Sequence, residues 1–67
     1  MHPAIEHVLQ FFKYEHLPIG LAAVSQPFCE LAEKVAREFP NSPETTVALR
    51  KLLEAKDAAV RAALTQE

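Results

Sequence analysis

The sequence contains few cysteines, which cross-link small proteins through disulfides, and few glycines, which let the backbone turn freely. It contains one cysteine, Cys29, so no disulfide can form within the chain, and we expect it in a reducing, cytoplasmic environment. It contains one glycine and no tryptophan, and its five prolines mark the breaks between helical segments instead. No apolar run approaches the roughly 20 residues that span a membrane. The first residues lack the basic start of a signal peptide, so we expect none.

Net charge and size narrow the classes of function and assembly that the protein can have. A net charge of −2 argues against a protein that coats DNA or RNA, because such a protein needs a basic surface. It leaves open a small anionic ligand held by a few lysines or arginines. A chain of 67 residues buries a small share of its surface, and much of its 49% hydrophobic content is alanine. We therefore predict that it works as an oligomer.

Proline positions and apolar periodicity predict a single all-α domain, a short N-terminal helix followed by an antiparallel helical hairpin. The first helix covers residues 3–12 and is followed by an aromatic turn at 13–18. The second covers residues 19–39, where Pro27 either kinks the helix or starts a new one with Ser25 as its N-cap. A loop at 40–42 leads to a third helix over residues 43–64, which a short connection makes an antiparallel neighbour.

The two long helices each carry an apolar face at helical spacing. That of the second helix consists of Leu21, Val24, Phe28, Leu31, Ala32, Val35 and Phe39. The third helix has a broad apolar arc, and Lys56 falls near its middle. Either Lys56 lays its stem over apolar surface and reaches water at a subunit edge, or it is a cation held at an interface for an anionic ligand or a partner carboxylate. Lys34 lies on the second helix.

Aromatic and basic side chains crowd the turn after the first helix. The segment from Phe11 to Pro18 includes Phe12, Lys13, Tyr14 and His16. Aromatic rings stack on nucleobases, and a neighbouring lysine or histidine meets phosphate. The alternative is structural, with Phe12 in the core, Tyr14 packed on the hairpin and His16 on the surface.

No arrangement of residues indicates catalysis, a metal site or a cofactor. The histidines and Cys29 have no spacing that would preform a pair of metal ligands. Cys29 flanks an apolar stripe, which favours a core residue over a nucleophile. The carboxylates lie on solvated faces, where they form ordinary pairs such as Asp57 with Arg61. We predict that the protein is not an enzyme.

The order of a short helix, the turn Tyr14-Glu15-His16-Leu17-Pro18 and an alanine-rich hairpin ending Leu49-Arg50-Lys51-Leu52-Leu53-Glu54-Ala55-Lys56-Asp57-Ala58-Ala59-Val60-Arg61-Ala62-Ala63-Leu64 resembles a group of small phage proteins. These are the anti-CBASS and anti-Thoeris signal sponges, which share a helical-hairpin domain. The anti-Thoeris branch has an added β-rich part that this chain lacks, so the chain is more similar to the anti-CBASS branch.

The resemblance implies a homo-oligomer, a hexamer in known members, in the host bacterial cytoplasm. Pockets between protomers would sequester cyclic nucleotide immune messengers without cleaving them. Tyr14 matches the tyrosine that stacks on a base in that family. The family's ligand-contacting lysine on the second helix aligns with Cys29 here, so the cation is missing at that position; our hypothesis is that Lys13, Lys34 or Lys56 of a neighbouring protomer substitutes for it. With Phe11 and His16 these complete the candidate ligand-binding residues; the alternative function is a small oligomerisation or protein-interaction adaptor.

Overall fold

The computed structural model describes residues 2–66 and shows an all-α protein, as the sequence predicts. Three α-helices follow one another: α1 (Pro3–Leu9), α2 (Ile19–Glu38) and α3 (Pro43–Thr65). A 3₁₀ turn (Gln10–Phe12) continues α1, and this part of the chain contains no strand. The described molecule measures 41 × 19 × 16 Å, because the two long helices lie along one another.

Local chemistry fixes where α1 and α3 begin. Pro3 and Pro43 occupy the first helical turn, where a missing N–H costs nothing. The backbone N–H of Ala4 donates to His2 Nδ1 at 3.1 Å, and that of Glu44 donates to Ser42 Oγ at 3.2 Å. Both side chains thereby satisfy one of the free donors at a helix start.

Pro27 lies inside α2, and the helix runs through it without a fresh start. Ser25 is therefore not an N-cap. It lies in the helix interior with 1% of its surface exposed, on the side that faces the rest of the protein. A proline at this position removes one backbone hydrogen bond, so packing of the neighbouring turns holds the helix continuous there.

The connection from α2 to α3 is short and fixed at both ends. The Phe39 N–H donates to the carbonyl of Val35, which ends α2. The Thr45 hydroxyl donates to the Phe39 carbonyl, and Thr45 is buried. This bond ties the end of one long helix to the first turn of the next, which sets where the two helices meet.

The core forms where α1 and the 3₁₀ turn pack on both long helices. Its large side chains are Ile5, Val8 and Phe12, together with Leu49 of α3. The part contributed by α2 is small: Cys29, Ala32 and Ala36. Branched chains from α1 and the Phe12 ring of the 3₁₀ turn fill the space above these small residues, so the shortest of the three helices and its continuation close the core.

The predicted apolar stripe of α2 is only partly buried. The buried ridge is Ser25, Cys29, Ala32 and Ala36, rotated away from the large apolar residues. Leu31 is 47% exposed and Phe39 is 55% exposed. The reason is that the N-terminal segment needs small residues beneath it, so its docking selects the alanine side of α2, leaves Leu31 and Phe39 exposed and leaves the other large residues of the stripe half-buried.

No helix within residues 2–66 is both long enough and apolar enough to cross a membrane.

Candidate functional site

Tyr14 lies in the turn between the 3₁₀ turn and α2, half-buried against the core. The Leu17 N–H donates to the Tyr14 carbonyl at 3.0 Å, which closes the turn. The Tyr14 N–H donates to Glu15 Oε2 at 3.1 Å, and backbone donors of this kind lower the pKa of the Glu15 carboxyl. The turn therefore holds the backbone of Tyr14 in place while its ring keeps an accessible part.

The surroundings of Tyr14 are acidic. Partial loss of solvation raises the pKa of its phenol, and the charges of Glu15, Cys29, Glu30 and Glu33 raise it further. The cleft beside this turn, of about 430 Å³, is lined by Glu6, Leu9, Gln10, Lys13, Glu15, Cys29 and Glu33. Three carboxylates therefore face one ammonium group. An anionic ligand at this cleft needs cations from outside the single chain.

Cys29 lies at the inner wall of that cleft and is 9% exposed. Burial raises the pKa of its thiol, and the neighbouring charges of Glu33, Glu15 and Glu30 act in the same direction. The thiol is therefore uncharged at neutral pH, so it offers neither a cation nor a thiolate nucleophile.

Lys56 points from α3 with only 13% of its side chain exposed, which matches its place in the apolar arc. Its Nζ lies 2.9 Å from Oδ1 of Asp57, whose side chain is 48% exposed. The pairing predicted for Asp57 with Arg61 is therefore wrong, because Asp57 pairs with its sequence neighbour on the more buried side. This lysine already has a carboxylate partner in the isolated chain.

Of the remaining candidates, Lys34 lies apart from Tyr14 and His16 lies in the same turn. Lys34 is 62% exposed and its Nζ lies 4.0 Å from Glu38 Oε1, one turn further along the outer side of α2. His16 is exposed in the turn and close enough to Glu15 to lower the pKa of that carboxyl. One chain thus brings Tyr14, Lys13 and His16 to one turn, and leaves Lys34 and Lys56 elsewhere.

Phe11 belongs to the 3₁₀ turn that continues α1, lies on the side near α3 and is 50% exposed. Its ring meets the His7 imidazole edge-on, with centroids 5.5 Å apart and planes at 86°. A second cleft, of about 240 Å³, is lined by His7, Val8, Phe11, Arg50 and Leu53. An exposed aromatic ring beside a guanidinium group suits a planar, negatively charged group.

Arg50 is the residue in this cleft that sequence reasoning missed. On the helical projection of α3, Arg50 falls on the solvated face, and in the structure its side chain is exposed. What brings it next to Phe11 is the docking of α1 on α3, for which no spacing in the sequence gives a signal. The sequence pattern alone does not distinguish Arg50 from Arg61 as a candidate for ligand binding.

Known proteins supply no further residue assignments. Within residues 2–66 no group of three or more histidine, cysteine or carboxylate side chains is placed to hold a metal ion. Comparison of the chain with protein-family models, with curated proteins and with solved structures gave no match.

Proposed function

We propose that the protein is a phage anti-defence sponge of the anti-CBASS kind. It binds cyclic nucleotide immune messengers and keeps them from their effectors without cleaving them. Its α2 and α3 form an antiparallel hairpin, and several copies assemble, as a hexamer by analogy, so that ligand sites lie between copies. The resemblance of the tyrosine turn and the α3 sequence supplies the ligand class.

The observation that carries this proposal is the way Tyr14 is presented. The ring lies in a closed turn, half-buried on one side and accessible on the other, next to Lys13. A ring that is already ordered loses little entropy when a base stacks on it. Base-aromatic stacking contributes about 1–3 kcal/mol per base, enough to matter for a small ligand.

The acidic surroundings of Tyr14 support a shared site rather than a site within one chain. Glu6, Glu15 and Glu33 outnumber Lys13 at the adjacent cleft, so a messenger phosphate would be repelled there. A neighbouring copy could bring Lys34, Arg50 or another exposed cation to the same place. Site completion by a second copy would also explain why one chain leaves its candidate residues apart.

The test is calorimetry and thermal shift of the full chain with cyclic di- and trinucleotides and cyclic ADP-ribose isomers. At least one compound should raise the melting temperature through mass action, and chromatography should recover it intact after denaturation. Tyr14→Ala should weaken its binding by roughly 10- to 100-fold through lost stacking.

Tyr14→Phe is the matched control, since it keeps the ring and removes only the hydroxyl. Its affinity should stay within a few-fold of the unaltered chain. No binding by any compound in the panel would contradict the proposal, as would equal affinities of the Ala and Phe variants.

A second candidate is an adaptor that takes an amphipathic partner helix. It is favoured by the apolar cleft of about 400 Å³ between α2 and α3, lined by Val35, Phe39, Ser42, Glu44, Thr45 and Ala48. An adaptor would show no response to the nucleotide panel. A sponge would show that response in the absence of any other protein.

A further inference from the structure

The side of the molecule that α1 leaves uncovered carries a continuous apolar surface. Clefts beside α1 include Cys29 and Glu33 of α2 and Arg50 of α3, which places α1 on one side of the two long helices. The cleft on the other side contains no α1 residue. We call that side the open face and define it as Leu21, Val24, Phe28, Leu31, Val35 and Phe39 of α2 with Ala48, Leu52, Ala55 and Ala59 of α3.

The open face is defined by helix geometry; four of its members, Leu31, Phe39, Ala48 and Ala55, are exposed and the other six are half-buried. At about 100° per residue, its members lie on the same side of the buried ridge of each helix. None of these members is charged, and Glu44 borders them at the end of the face near the α2–α3 connection. Leu31 and Phe39 are 47% and 55% exposed, which is a large cost for side chains of this size in a monomer.

We propose that the open face packs against the open face of a second copy. The face is self-complementary in side-chain size, because the α2 half carries large side chains and the α3 half is mostly alanine. A two-fold axis parallel to the helices would set α2 of each copy above α3 of the other. Large side chains of α2 such as Val35 and Phe28 then face small ones of α3 such as Ala48 and Ala55, which is how well-packed layers interdigitate.

The size of the open face agrees with a second copy as its occupant. α2 has 20 residues and so extends about 30 Å. With a molecular width of 19 Å, two copies joined across this face would bury on the order of 1,000 Å² in total. That total is at the lower end of specific interfaces, and the apolar character resembles a domain core cut in half.

This inference rests on the self-association in the proposed function, and it does not depend on any ligand. It adds which surface associates and how the two copies are oriented. Because Tyr14, Lys13 and Phe11 lie on the side of α1, an open-face dimer leaves them outside. Any ligand site that is shared between copies would then require a second kind of contact.

The first experiment compares Leu31→Glu with Ile19→Glu by analytical ultracentrifugation. Ile19 is also a large apolar residue on α2, but it is 90% exposed and lies off the open face, so it is a matched control. Leu31→Glu should weaken association by at least about 30-fold, as for an interface hot spot, while Ile19→Glu leaves the mass unchanged. Circular dichroism should show the same helix content in both.

The second experiment tests the arrangement with single cysteines in a Cys29→Ala background. A Leu31→Cys chain mixed with an Ala55→Cys chain should give a cross-linked pair with a short bismaleimide. Either chain alone should give much less. Dominant cross-linking of Leu31→Cys with itself would overturn the arrangement, and a monomeric unaltered chain or an unaffected Leu31→Glu mass would overturn the interface.

Ligand measurements on the same variants separate this inference from the proposed function. Tyr14→Ala should keep the oligomer mass while losing ligand. If Leu31→Glu dissociates the oligomer but no nucleotide binds, the interface stands and the sponge proposal falls. If nucleotides bind and Leu31→Glu leaves the mass unchanged, the reverse holds.

Discussion

Ser25 has a hydroxyl that is out of contact with water and with any partner. Its Oγ is fully buried and has no hydrogen bond among the described residues, and 1% of the residue is exposed. Burying a hydroxyl without a partner costs on the order of 1–3 kcal/mol. Alanine also has the higher helix propensity. Ser25 therefore lowers the stability of α2 at the place where that helix meets its neighbours.

We expect Ser25→Ala to raise the free energy of unfolding by about 1 kcal/mol, because it removes an unsatisfied polar group. Urea unfolding at fixed protein concentration measures the change. Ser42→Ala is the control, since the same substitution there removes the N-cap of α3 and should cost about 1 kcal/mol. A destabilised Ser25→Ala chain would show that this hydroxyl has a role the structure leaves unexplained.

Single residues were predictable where local spacing sufficed. The turn that holds Tyr14 follows from Leu17-Pro18, and the position of Lys56 follows from the period of α3. The partners of these residues were not predictable. Lys56 pairs with Asp57, and the carboxylates near Tyr14 come from α1, the turn and α2, which are brought together only by tertiary packing.

At the level of elements, Pro27 is the unusual feature of α2. It lies in the interior of a 20-residue helix, where proline costs about 3 kcal/mol relative to alanine in the absence of other constraints. The proline side chain is exposed, so it gains little from packing in return. The helix is continuous because its buried ridge on both sides of Pro27 is held by the core.

Pro27→Ala should raise the free energy of unfolding by about 1–3 kcal/mol and increase helical circular dichroism, since it restores a backbone hydrogen bond. Pro43→Ala is the matched control. Proline at the first position of α3 is already favourable, so its loss should be neutral or slightly destabilising. Equal effects of the two substitutions would contradict the expectation.

The all-α class was predictable from the sequence, whereas the face of α2 that is buried was not. Periodicity selects the large apolar residues, among them Leu31 and Phe39. Burial instead follows α1 and the 3₁₀ turn, whose Ile5 and Phe12 require small residues beneath them. The docking of a short helix across two others leaves no signal in the pattern of either long helix. The pattern alone therefore predicts a buried face of α2 that is rotated away from the face that is actually buried.

For the whole molecule, stability should depend on protein concentration. If copies join through the open face as proposed, association stabilises the folded chain and the melting temperature rises with total concentration. A scan at concentrations 100-fold apart should show a clear increase for the unaltered chain. The Leu31→Glu chain should show much less. Identical melting temperatures of the unaltered chain across that range would indicate a monomer with an exposed apolar surface.

The position of α1 on one side of the long helices has a genetic consequence. Under the proposed function, a Tyr14→Ala chain keeps its open face, enters assemblies with unaltered chains and disables the ligand sites that it shares with them. A Leu31→Glu chain loses the open-face contact, so it would join unaltered chains much less and would leave most of their sites intact. Dominant-negative alleles should therefore map to the side of α1, and recessive alleles to the open face.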